Sequence, residues 1–64
     1  MQKFLTNSVV FLSDGQELYC ANNIEEIKEE LETHHLVKLI LSDQNGQELS
    51  VHEQHIRHYE SFDG

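Results

Sequence analysis

Three of the five histidines, His52, His55 and His58, recur at intervals of three, with Glu53 and Glu60 beside them. Imidazole together with carboxylate is the donor set of zinc, copper and nickel sites. The spacing works against all three histidines meeting one ion. On a helix such positions drift round the axis and only adjacent pairs share a face. On a strand His52 and His58 share a face while His55 points the other way. Two imidazoles and a carboxylate are therefore the largest set available, which leaves His52, His55 and His58 as weak metal ligands, and no cofactor is expected. A proton response is the better supported chemistry. With side-chain pKa values near the usual ~6.5, acidification towards pH ~5.5 would cancel much of the negative charge.

Cys20 is the one thiol. It ends an apolar stretch, "ELYCA", with nothing electropositive nearby to favour the thiolate, and so reads as a buried structural cysteine rather than a nucleophile. A single thiol also rules out an internal disulfide and mildly favours a reducing compartment. No serine stands in a nucleophile-elbow pattern. Carboxylates are plentiful, but a 64-residue domain rarely encloses a pocket of the several hundred cubic ångströms that substrates need. The expectation is a protein that is not an enzyme.

The acids carry the sharper signal. Twelve Asp and Glu against four Lys and Arg give a net charge of −8, a value that repels phosphate backbones and anionic lipid and attracts basic surfaces. Lys3, Lys28, Lys38 and Arg57 are scattered and form no basic stripe, which argues against direct nucleic-acid binding. Five glutamates, Glu25, Glu26, Glu29, Glu30 and Glu32, fall within "NNIEEIKEELETHH". Asp14 and Asp43 lie in two related stretches, "LSDGQEL" and "LSDQNGQEL". If helix and turns lie on one side, carboxylates set about one helical turn apart, flanked by the turn acids, would imitate a row of phosphates. In size and charge the chain is similar to small acidic inhibitors encoded by phages and mobile elements, some anti-CRISPR proteins among them; the likeness covers no motif.

These groups need elements to hold them. Asn23 is a good N-cap and Glu26 three residues on completes a capping-box pattern. Ile24, Ile27 and Leu31 then form one narrow apolar stripe on a short helix whose remaining surface is acidic. His34 and His35 suit its C-terminal end. The two related stretches are flanked by β-rich runs, "SVVFL" with "ELYCA" and "LVKLIL" with "ELSVH". Asp14-Gly15 and Asn45-Gly46 both signal type I′ hairpin turns. Neither stretch has the run of glycines leading into a helix that a phosphate-binding loop requires. Both flanking runs are apolar on two faces, as in a central strand or a barrel wall. The tail "QHIRHYESF" reads as a short fifth strand with Ile56, Tyr59 and Phe62 as anchors.

The expected fold is therefore α+β over residues 1–64 as one domain, two hairpins flanking one short acidic helix. Their strands form a bent antiparallel sheet or a small, partly open SH3-like barrel. No apolar run approaches the length of a membrane span. The start, "MQKFLTNSVVFL", reads as a first strand rather than a secretory signal, so the expectation is a cytoplasmic protein. The expected function is that of an acidic module docking on the basic surface of a nucleic-acid-handling protein, as inhibitor or regulator. Glu25, Glu26, Glu29, Glu30 and Glu32 would carry the charge, with Asp14 and Asp43 as flanking contacts. The alternatives are a homodimer or other assembly using a sheet edge and apolar surface at Leu36, Ile40 or Phe62, and a histidine-based metal- or pH-responsive binder.

Overall fold

The computed structural model describes residues 4–62; Lys3 lies outside them. Strands β1 (Ser8–Leu12) and β2 (Glu17–Cys20) precede the helix α1 (Ile24–His34). Strands β3 (Leu36–Leu41), β4 (Gln47–His52) and β5 (Ile56–Ser61) follow it. Two 3-10 turns, Ser42–Gln44 and Glu53–His55, lead into β4 and β5. The five strands form one antiparallel sheet in the order β4-β3-β2-β1-β5. The α+β class, the two hairpins, the intervening helix and the fifth strand all stand as the sequence implies.

That strand order fixes the curvature. β4 and β5 are the opposite edges of a five-stranded sheet, yet only Glu53–His55 separates them in the chain. Four inter-strand spacings would put the edges of a flat sheet about 19 Å apart. A 3-10 turn rising ~2 Å per residue cannot bridge that. The sheet must curl until one end of β4 approaches one end of β5. Because β4 and β5 do not pair, the sheet stays open and is not a closed barrel. Between β2 and β3 the ladder is short, with Cys20 opposite Leu41 as its registered pair. The Asn22 amide extends it. Its Nδ2 donates to the Lys38 carbonyl at 3.1 Å and its Oδ1 accepts from the Ile40 amide at 2.7 Å. A side chain thus stands in for strand backbone while the chain turns away into α1.

The concave side holds the core. Val10, Cys20, Val37, Leu39, Leu41 and Val51 from the sheet meet Ile27 and Leu31 from α1, with Leu12, Leu18, Ile56 and Tyr59 partly buried round them. Of the tail's three expected anchors, Ile56 and Tyr59 join this core; Phe62 goes to the convex side, where its ring meets Tyr19 edge-on at 5.8 Å. Val9 also faces that side, paired with Tyr19 and Glu60, and is nevertheless buried. Two-sided hydrophobicity in β1 thus has its expected cause: β1 is an interior strand with apolar cover on both faces.

The two hairpin turns depart from expectation. Asp14 has no positive φ, whereas a type I′ turn needs one there; among Asp14 and Gly15 only Gly15 does, at +95°. The Gly15 amide donates to the Leu12 carbonyl at 3.0 Å and the Leu12 amide to the Gln16 carbonyl at 2.8 Å. This is a three-residue loop, a tight turn followed by a left-handed glycine. The second loop does place Asn45 and Gly46 at positive φ, +56° and +76°. They close a five-residue connection that begins with the 3-10 turn, and the Gly46 amide reaches back to the Leu41 carbonyl at 2.9 Å. Neither loop is the two-residue turn that its dipeptide signals. The side chains decide it: Asp14 accepts from the Gln16 amide at 3.1 Å, which holds the shorter loop in its own geometry.

Candidate functional site

The acidic helix starts on a reciprocal cap. The Asn23 amide donates to the Glu26 carboxylate at 3.0 Å, satisfying a donor that the first turn leaves free. Glu25 and Glu26 lie in that first turn, where carboxylates suit the positive end of the helix dipole. Burial of Ile27 and Leu31 turns the opposite side of α1 to solvent, and Glu25, Glu26, Glu29, Glu30 and Glu32 are all exposed. Among the described residues the ion pairs are Lys38 with Glu48, His35 with Glu53 and His58 with Glu60. No helix glutamate takes part in one.

At its C-terminal end α1 stops on His35, which adopts the left-handed conformation at φ 58°, a place usually taken by glycine or asparagine. Its carbonyl accepts from the Glu53 amide at 2.9 Å, and its Nδ1 lies 3.0 Å from the Glu53 carboxylate. Helix end and 3-10 turn are therefore tied twice by the same two residues.

Asp14 and Asp43 do not sit together. Phe11 opposite Glu17 closes one end of the β1–β2 ladder, next to Asp14, while Cys20 opposite Leu41 marks the other, next to Asp43. The sheet thus holds these two acids at opposite ends. Asp14 spends its carboxylate on the Gln16 backbone and side-chain amides, at 3.1 and 3.0 Å.

The histidines do not gather at one point either. His52 and His55 stand near each other, ring centroids 6.5 Å apart and edge-on. They line a shallow hollow of about 290 Å³ that also includes Asp14. His52 Nδ1 accepts from the Gln54 amide at 3.3 Å. His58 lies on the convex side, stacked on Phe11 at 5.6 Å with its Nε2 3.0 Å from Glu60. Among the described residues no three His, Cys, Asp or Glu side chains are placed to hold a metal ion.

Cys20 has no solvent exposure. Burial above all, with the negative charge of Asp43 adding to it, pushes its thiol from 9.0 to about 11 against a smaller opposing pull from the Ser8 side chain. Of the apolar residues singled out for assembly, Ile40 is half-buried, whereas Leu36 and Phe62 are exposed. Leu36 opens β3 and Phe62 follows the last residue of β5, at opposite ends of the sheet on strands that are not neighbours, so they make no common patch. No helix among the described residues is long and apolar enough to cross a membrane.

One juxtaposition escapes sequence reading. Lys28 and Arg57, scattered in the chain, line the same groove between α1 and β5. Nothing local in the sequence signals it: the bulge that places Arg57, between the pairs Phe11–His58 and Leu12–Ile56, is set by pairing with β1.

No protein-family model matches the chain, and comparison with curated proteins and with solved structures returns no significant match.

Proposed function

We propose that the protein is a non-enzymatic binding module that presents the outer face of α1 to a protein with a basic surface, as an inhibitor or regulator of a nucleic-acid-handling partner. The observation that carries this reading is the unneutralised state of the helix. Glu25, Glu26, Glu29, Glu30 and Glu32 are exposed, and no cation pairs with any of them among the described residues. Exposed like charges one helical turn apart repel one another, and a basic partner relieves that repulsion on binding. Asp14 and Asp43 flank from opposite ends of the sheet, so a partner touching both must extend along its full length.

The test separates charge from fold. Glu25, Glu29 and Glu30 are replaced together by Gln, leaving Glu26 in place because it caps the helix. Native and triple-variant proteins are immobilised, exposed to a bacterial lysate, and washed with rising NaCl. The expected result is a protein retained by the native chain, released below about 0.5 M salt, where screening is within a few ångströms, displaced by duplex DNA, and not retained by the triple variant. Retention that survives this salt, or that the triple variant shares, removes the reading, as does a native column that retains nothing.

A further inference from the structure

Between α1 and β5 runs a groove of about 370 Å³, within the usual range of ~300–1,000 Å³ for small-molecule sites. Its floor is apolar: Leu31, which is buried, with Ile56 and Tyr59, which pack partly against the core. Its walls hold Lys28 and Arg57. On a chain of net charge −8 this brings two cations to one groove, and neither forms an ion pair among the described residues.

Two acids also line the groove, Glu32 and Glu53. Glu53 is engaged by His35 at 3.0 Å, and the rim histidine His58 by Glu60 at 3.0 Å. Both lining carboxylates keep their charge, so two acids and two cations share the groove, and neither acid lies within ion-pair distance of Lys28 or Arg57. The placement of Arg57 has a definite cause. Phe11 pairs with His58 and Leu12 with Ile56, so Arg57 is an extra residue opposite no partner. Such a bulge breaks strict alternation and re-aims a side chain, and here it lets Ile56, Arg57 and Tyr59 line the same groove.

We propose that this groove binds a small amphipathic carboxylate, its apolar body over Leu31, Ile56 and Tyr59 and its carboxylate between Lys28 and Arg57. Guanidinium is suited to the planar, two-pronged recognition that a carboxylate offers. The groove shares Glu32 with the acidic surface of α1, whereas Glu25, Glu26, Glu29 and Glu30 do not line it.

The test is a titration of the ¹⁵N-labelled protein with sodium hexanoate, 1-hexanol and hexylammonium chloride, followed by amide chemical shifts. Hexanoate should shift the amides of Lys28, Leu31, Ile56, Arg57 and Tyr59 saturably. Hexanol should bind roughly tenfold more weakly, as expected for loss of a charge-assisted contact, and hexylammonium more weakly still. Arg57→Gln and Lys28→Gln should each weaken hexanoate binding while amides remote from the groove keep their positions, and Arg57→Lys should retain part of it. The triple glutamate variant, which keeps every lining residue, should bind hexanoate at least as tightly as the native protein, which separates this site from the docking face. Equal binding of hexylammonium, unsaturable shifts, or shifts centred elsewhere would overturn the proposal; so would full hexanoate affinity in both Arg57→Gln and Lys28→Gln.

Discussion

The loops Leu12–Leu18 and Leu41–Leu49 differ by the inserted pair Gln44 and Asn45 in otherwise matching letters, yet they do opposite work. The first is a tight loop that looks after itself: Asp14 bonds to Gln16, and nothing lies within 4 Å of where a Gly15 side chain would start. The second is built into the fold. The Phe4 ring packs directly on Gly46, Thr6 and Ser42 share a hydrogen bond, and the Ser42 hydroxyl donates to the Tyr19 carbonyl at 3.2 Å. Two residues of extra length convert a free-standing turn into a clasp for the N-terminal segment. Similar letters thus share turn chemistry without sharing a role.

The largest expected effect tests that contrast at the glycines. Gly46→Ala meets both a left-handed backbone at φ +76° and the Phe4 ring, and should cost about 3 kcal/mol in urea denaturation, combining backbone strain with overpacking. Gly15→Ala meets only the backbone term at φ +95° and should cost about 1 kcal/mol. Equal losses would mean that Phe4 does not clasp the second loop.

The two aspartates sharpen the comparison. Cys20 keeps its proton up to about pH 11 in the folded protein against a reference of 9.0, so folded molecules hold more protons than unfolded ones between those values. The resulting stabilisation is complete below pH 9 and is lost as pH rises towards 11, by an amount on the order of 2 kcal/mol. Cys20→Ala should lack this part of the alkaline decline. Asp43→Asn should lower the thiol pKa, read by thiolate absorbance, whereas Asp14→Asn, at the far end of the sheet, should leave it where it is. The smallest effect concerns Asn45, already at φ 56°. Asparagine tolerates this conformation, so Asn45→Gly should change stability by less than about 0.5 kcal/mol.

What was legible in the sequence was local. The β-rich runs on either side of each loop, the Asn23–Glu26 cap and the Ile27–Leu31 stripe are short-range patterns, and each forms the element it implies. The apolar character of both faces of β1 correctly implied an interior strand. What was hidden depends on partners distant in the chain. The pairing of β5 with β1, the curl that brings the sheet edges together, and the bulge at Arg57 are settled by contacts some 50 residues apart. The turn geometries were missed because a dipeptide preference gives way to loop length and to side-chain bonds such as Asp14 with Gln16. The candidate acidic surface was legible for α1, where a single stripe fixes what faces out. It was not legible for Asp14 and Asp43, whose separation only the strand register reveals.

The enclosure of Cys20 gives the molecule a built-in stopwatch. Alkylating reagents attack thiolate, and this thiol is both walled in and held protonated at neutral pH. It can be tagged only during the intervals when the sheet comes apart. The mass gained per hour in dilute iodoacetamide therefore counts those intervals directly, at the position where β2 meets β3 and the ladder is shortest.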